Sequence, residues 1–274
     1  MPHLFPIMGS KRLLKPRILP ALSRSAADGA CEYREPFAGA AHVGVTMMSY
    51  RPDWHHWIND ADPAIACLWR AVKDYPQEIV RRVRDFRPTV AKLREFQRYL
   101  AEVRGMPADD DDESLAAERP DCAEGASIIE VGFRRLALAY MYHSGNGSGC
   151  RGGYTQTNGR IDERWSPERI CRKVGFHHRR LCRIGARVTC EDFQTLIDDT
   201  SRRALLYCDP PYRGFLNYYG CRFSTQDDQR LADLLGTTEH AWVLTYGDHP
   251  AIRRLYSGWA RVEEIGYRNL LITR

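Results

Sequence analysis

No apolar run in these 274 residues approaches the ~18 that a membrane span needs. The N-terminal stretch also lacks a sustained apolar core and a small-residue cleavage pattern, so no secretory signal is expected and the cytoplasm is the default location. Nine cysteines are present, but the number is odd, the spacing is irregular and no Cys-x-x-Cys pair occurs. Those absences argue against a disulfide framework and against a zinc module, although Cys171, Cys182 and Cys190 lie near His177 and His178. Metal is therefore not expected. Neither sign of charge dominates, because a formal balance of +5 is too small to name a partner for a chain of this length. No internal repeat is evident. What remains, 43% hydrophobic and 27% charged residues, is the composition of a soluble globular protein. The length suits one ordinary domain, or a catalytic domain carrying a smaller module.

Along the chain, apolar Leu13, Leu14, Ile18, Leu19 and Leu22 recur at helical spacing, with Pro16 and Pro20 expected to interrupt the helix. A strand over 31–37 runs into the small-residue turn Ala38-Gly39-Ala40-Ala41 and a helix over 43–50. A second strand over 57–60 ends in Asp60 and precedes a helix over 64–73. Alternation then stops. One helix is expected over 77–104, the acidic run 109–113 reads as a solvated loop, and a helix over 127–142 precedes a Gly-rich stretch at 144–153. From 188 the alternation returns, with a helix around 190–198, a strongly apolar strand over 204–208, a helix over 225–235, a strand over 241–245, a helix over 250–256 and a closing strand over 270–273. Such alternation implies an α/β fold with a mainly parallel sheet and helices on both faces. The expected division is a catalytic domain of 1–74 and 188–274 around an inserted, mainly helical module of 75–187.

Ligands of open α/β sheets bind outside the carboxyl ends of the strands, so chemistry should lie there. Glu35-Pro36-Phe37-Ala38-Gly39 offers a tight turn and an apolar ring, and Asp60 offers an acceptor for a ribose or an amine. Each feature alone is commonly structural. Asp209-Pro210-Pro211-Tyr212 is more specific, because consecutive prolines fix the backbone and remove two donors. In such a turn the Asp209 carboxylate and the Pro210 carbonyl can both accept from one amino group, while the Tyr212 ring lies against a planar base. The segment from Arg151 to Arg187 carries ten Arg or Lys against three acids. A solvated surface is the plain reading, and a phosphate-binding face that releases condensed counterions is the functional one. Its candidate contacts are Arg151, Arg160, Arg164, Arg169, Lys173, Arg179 and Arg180, with Tyr140, Tyr142, His143 and Tyr154 as either core or additional lining.

Taken in order, these elements resemble the Dam-type, alpha-class DNA adenine methyltransferases, phage-encoded members included. Met8-Gly9-Ser10-Lys11 resembles that family's Gly-Gly-Lys element, which implies that Lys11 contacts the cofactor. Glu35-Pro36-Phe37-Ala38-Gly39-Ala40-Ala41 resembles its Glu-Pro-Phe-x-Gly-x-Gly cofactor loop. Asn59-Asp60-Ala61-Asp62-Pro63 is similar to its Asn-Asp-x-Asn segment, so Asp60 would meet the ribose of S-adenosylmethionine. Asp209 to Tyr212 matches its catalytic tetrapeptide, and Arg164-Trp165-Ser166-Pro167 resembles an element of some phage-type relatives. Departures are Ser10 and Ala41 in place of glycines, Asp62 in place of Asn, and Asn269 where Glu is frequent. The resemblance implies a Rossmann-like S-adenosylmethionine-dependent methyltransferase fold whose helical insertion recognises the target in double-stranded DNA. It also implies site-specific transfer of a methyl group to the exocyclic amino group of adenine, as in restriction-modification enzymes. A monomer is the favoured state. A related enzyme acting on RNA or protein amides would carry Asn at 209, and a silent DNA-binding relative would not retain Lys11, Phe37, Asp60 and Asp209 together.

Overall fold

The computed structural model describes residues 3–7, 9, 11–26, 29–105, 126–141, 161–212 and 223–274. They form two compact units, one built on Ser10–Ala61, Ile184–Leu216 and Arg222–Arg274, the other on Asp62–Arg183 with Met1–Gly9.

The first unit is a seven-stranded sheet. In chain order its elements are α1 (Lys15–Ser25), β1 (Glu32–Glu35), α2 (His42–Tyr50), β2 (His55–Asn59), β3 (Arg187–Thr189), α8 (Phe193–Asp198), β4 (Ala204–Cys208), α9 (Thr225–Thr237), β5 (Ala241–Gly247), α10 (Pro250–Tyr256), β6 (Arg261–Ile265) and β7 (Asn269–Thr273). The spatial order is β3-β2-β1-β4-β5-β7-β6. Neighbouring strands from β3 to β5 pair parallel, and only β7 runs against its neighbours, wedged between β5 and β6. Burial on both faces explains the unbroken apolar run of β4. Leu205 and Tyr207 pack with Ile18, Leu22 and Val43 on one side, while Leu206 and Cys208 pack with Leu231, Trp242 and Ile252 on the other. The parallel strands bring Glu35, Asn59 and Cys208 to the same edge, and the loops that follow them carry the candidate site. Pro20 does not interrupt α1 as expected. It is an exposed residue inside the helix, and burial of Ile18, Ala21 and Leu22 outweighs the one backbone hydrogen bond it removes.

The second unit is helical: α3 (Pro63–Asp74), α4 (Pro76–Asp85), α5 (Val90–Val103), α6 (Ala126–Met141) and α7 (Pro167–Ile184). The single helix expected over 77–104 is two helices. Pro88 cannot continue a helix, Thr89 caps α5 through the Lys92 amide at 3.1 Å, and the Phe86 ring turns in to stack on Phe96. By packing, this compact unit takes in α3 from Asp62 onward, because α3 lies tightly on α6. A Cβ on Gly132 would stand 2.8 Å from the Cys67 carbonyl oxygen. Asp62, where the resemblance would have Asn, caps α3 through the Ala64 amide (2.9 Å) and receives the Arg104 guanidinium at 3.0 and 2.7 Å. A neutral Asn could not neutralise that buried arginine. The acidic run, the Gly-rich stretch, Met8, Ser10, Arg151, Arg160, Tyr142, His143 and Tyr154 lie outside the described residues.

Candidate active site

Strand β4 ends at Cys208, and the next residue, Asp209, holds a carboxylate contacted from three directions. Lys11, itself 6% exposed, sets its Nζ 2.8 Å from Oδ2. The Tyr212 hydroxyl donates to Oδ1 at 3.1 Å, and Thr245 Oγ1 donates to the same oxygen at 2.9 Å. Since the Thr245 proton is given to Asp209, the buried Tyr207 hydroxyl at 2.8 Å must be the donor to Thr245. The Lys11 ammonium also stands 4.7 Å from the centre of the Tyr212 ring. That ring is backed by Tyr246, with centroids 5.1 Å apart and planes 19° from parallel. A Cβ at Gly247 would come within 3.0 Å of the Tyr212 ring, so the absent side chain leaves it room. The Tyr246 hydroxyl lies between the Pro211 carbonyl oxygen, at 3.2 Å, and the carboxylate of buried Asp228 on α9. Successive strand residues face opposite sides of a sheet, so Thr245 and Tyr246 grip the loop from both faces. Neither was anticipated from sequence, although both stand at the end of the strand beside β4.

The loop after β1 is built on Asn59. Its Nδ2 donates to the carbonyls of Pro36 and Glu191, both at 3.0 Å, and its Oδ1 accepts from Thr189 Oγ1 and the Glu191 amide, both at 2.7 Å. A fully satisfied buried amide thereby locks three strand ends together. The Ala38 amide donates to the Asn59 carbonyl (2.8 Å) and the Gly39 amide to Asp60 Oδ2 (2.8 Å). Gly39 takes φ 48°, and Ala41, where the resemblance would have glycine, is held at φ 46° in the left-handed region. Phe37 is half-buried against Phe193 and Phe223, with centroids at 5.4 and 5.6 Å. Glu35 is turned inward: Tyr33 donates to it at 3.2 Å, and any side chain at Gly44 would overlap its carboxyl. Burial pushes the Glu35 carboxyl well above the usual carboxylate range, against the opposing hydrogen bond from Tyr33. A half-buried carboxylate at Asp60, a partly open ring at Phe37 and a bare backbone at Gly39 form a donor set that fits a nucleoside. Lys11 adds a cation to the same unit.

In the helical unit, α7 buries Ile170, Val174, His177 and Leu181 and leaves Arg169, Arg172, Arg179 and Arg183 exposed. This amphipathic stripe was legible but hidden beneath the arginines. Arg164 is also exposed, and Arg180 lies over Phe176 at 5.1 Å. Lys173 is half-buried, donating to the Tyr140 hydroxyl at 2.9 Å. Burial, with Arg169 and Arg164 nearby, lowers its pKa to about 8. Tyr140 is a core residue whose hydroxyl donates to the Leu4 carbonyl at 2.7 Å. Cys182 and His178 meet at 3.5 Å beside the Lys73 carbonyl, and among the described residues no three His, Cys, Asp or Glu gather as a metal site. All six described cysteines are unbridged, and no described helix is long and apolar enough to cross a membrane.

A mainly parallel sheet with one reversed strand, a two-proline loop after β4 and a glycine loop after β1 make up the architecture of a Rossmann-like methyltransferase. The model of the D12 class N6 adenine-specific DNA methyltransferases matches residues 8–270, and the chain belongs to that family. It is an enzyme that methylates adenine in DNA. DNA adenine methylase from two strains of Vibrio cholerae is 24% identical over 241 residues, covering 83% of this chain and 76% of the relative. The DNA N-6-adenine-methyltransferase of Escherichia phage P1 is 34% identical over 87 residues, 28% of this chain and 11% of the phage protein. A solved rRNA methyltransferase, AviRa from Streptomyces viridochromogenes, covers 98% of this chain and 86% of its own. At 14% identity and a TM-score of 0.38 it bears on neither fold nor substrate.

Proposed function

We propose that Asp209, Pro210, Pro211 and Tyr212 receive an adenine extruded from the duplex and prepare its amino nitrogen for methylation. Extrusion costs a few kcal/mol of stacking, which the Tyr212 ring offsets by lying against the base. Tyr246 behind it keeps that ring from tilting. Asp209 and the Pro210 carbonyl accept the two amino hydrogens, which favours a pyramidal nitrogen with its lone pair turned away from the ring. Negative charge on Asp209 then stabilises the positive charge that develops on nitrogen. A strong base is unnecessary, because the nitrogen becomes acidic as the new bond forms; one amino proton would then pass to water, and the donor sulfur would leave as a neutral thioether. Since Oδ1 already accepts from Tyr212 and Thr245, the amino group meets Oδ2, where it competes with Lys11.

S-adenosylmethionine, the methyl donor, supplies an electrophilic methyl on a sulfonium sulfur. Asp60, Phe37, Gly39 and Lys11 would hold it, with Glu35 and Pro36 shaping the loop from beneath. Arg164, Arg169, Lys173, Arg179 and Arg180, together with Arg151 and Arg160, would hold DNA phosphates, and the insertion over 75–187 would select the target site. A monomer working in the cytoplasm suits this reading. The observation that carries it is the Asp209 carboxylate, fixed by Thr245 and Tyr212 beside a ring stacked on Tyr246. The test is sequencing of DNA from cells expressing the protein, with detection of modified adenine. Wild type should leave N6-methyladenine at one recurring sequence and Asp209→Ala none; modification that survives in the variant would refute the assignment.

A further inference from the structure

The β6–β7 hairpin closes through three residues, Gly266, Tyr267 and Arg268, between the paired Ile265 and Asn269. Three-residue hairpin loops place their last residue in the left-handed region, where glycine is the residue of choice. Here that residue is Arg268, at φ 54°. Gly266, at φ 58°, is accounted for by packing, because a Cβ there would stand 2.7 Å from Leu14 Cδ2. No packing accounts for Arg268, which is exposed, as is Tyr267 at 80%. The nearby acids are already engaged: Arg253 binds Asp248 at 2.7 and 2.9 Å and also holds Glu264. Among the described residues Arg268 has no carboxylate partner, and its guanidinium lies 5.1 Å from the Tyr267 ring.

This turn is wired to the catalytic loop. Asn269 donates from Nδ2 to the Tyr267 carbonyl at 2.7 Å, and its Oδ1 stands 3.4 Å from the Tyr212 hydroxyl, a second acceptor for the proton that Tyr212 gives to Asp209 at 3.1 Å. The Arg268 carbonyl accepts from the Asp248 amide at 2.9 Å, and Asn269 pairs with Gly247, the residue beneath the Tyr212 ring. The turn dictates the left-handed φ, so what packing leaves unexplained is an arginine where glycine would be free of strain, and a strained residue kept without a packing reason points toward function. We propose that Gly266-Tyr267-Arg268 is a DNA contact beside the catalytic loop, in which Arg268 takes a backbone phosphate next to the extruded adenine and Tyr267 lies against the neighbouring sugar or base. The inference rests on the reading that the target base enters at Asp209.

The test uses the full chain and a duplex carrying its target, with affinity measured against salt concentration and folding followed by thermal melts. Arg268→Gly removes strain and charge together, so Tm should rise while the log–log salt slope falls by about 0.9, the value of one phosphate contact. Arg268→Gln keeps the strain and should lower the slope equally without the rise in Tm. Tyr267→Ala should weaken binding at every salt concentration and leave the slope alone. A merely structural turn would couple stability and affinity in the same direction. Unchanged slopes in both arginine variants would overturn the proposal. Failure of the underlying reading would look different, as undiminished turnover by Asp209→Ala, and would not alter the salt slopes.

Discussion

Arg34 in the sheet unit and Arg179 in the helical unit are the same residue type under opposite conditions. Arg34 is wholly buried and donates to Glu32 (2.5 Å) and to the carbonyls of Leu196 (2.7 Å), Asp199 (2.5 Å) and Arg202 (3.3 Å), with its plane 5.4 Å from the Trp57 ring. Its charge is consumed by the fold. Arg179 is exposed on α7 among Arg172, Arg180 and Arg183, in a stretch where acids are few. Its charge is available to a polyanion. Burial with partners therefore marks a cation that holds structure, and exposure with no acidic partner among the described residues marks one that can exchange counterions for phosphate. Lys11 belongs to neither class, being buried yet paired with Asp209 at the candidate site.

The contrast breaks first at Arg34. Arg34→Leu leaves buried Glu32 with only the exposed Arg202 at 3.4 Å and strips the Leu196 and Asp199 carbonyls of their donor, so it should cost about 3–5 kcal/mol in urea or thermal unfolding. Arg179→Ala should change stability by no more than about 0.5 kcal/mol. The same substitution should lower the salt slope of DNA binding by about 0.9 for each phosphate no longer neutralised. If Arg179→Ala destabilised the fold as Arg34→Leu does, the distinction would fail.

Lys173 sharpens the comparison, since it is half-buried against Tyr140 with Arg164 and Arg169 close by. Its pKa is lowered to about 8, and a bound phosphate would favour the ammonium. Binding above that pH must then take up a proton, so DNA affinity should fall as pH rises from about 8 toward the ordinary lysine range. Lys173→Arg should flatten that dependence, measured as affinity from about pH 7 to about pH 9.5, a window that brackets the shifted value and stays below the ordinary one. The smallest expected effect is at Ala41. Relief of its left-handed backbone by Ala41→Gly is worth about 1–2 kcal/mol, less about 0.4–1 kcal/mol for the more flexible unfolded chain. A small net gain in Tm is the expected result, and a loss would mean that the Ala41 side chain contributes more by packing than its backbone costs.

The parts of this protein legible from sequence are those coded locally. The β4 strand is an apolar run with both faces buried, and the turns after β1 and β4 are written in Gly and Pro, whose backbone preferences act residue by residue. Strand β3 escapes such a reading because its three residues, one exposed and two half-buried, carry too short a period. The break at Pro88 is readable from Pro-Thr, but the longer apolar stripe that runs across it masks the signal. Side-chain networks are another matter. Thr245 reaches Asp209 across 36 positions and Asn59 reaches Glu191 across 132, and such meetings depend on strand order rather than on any local pattern. Asn269 shows the same limit: along the chain it is a departure from Glu, and in the sheet it joins Tyr212 to the β6–β7 turn.

The most direct test of the central claim is a single-turnover measurement of methyl transfer to duplex DNA by Asp209→Ala, with cofactor and DNA binding followed by calorimetry on the same preparation. Loss of one preorganised charge at the reacting atom should slow transfer by at least about 10²–10³-fold, while both ligands still bind. Near-normal transfer by a protein that binds both ligands would contradict the account.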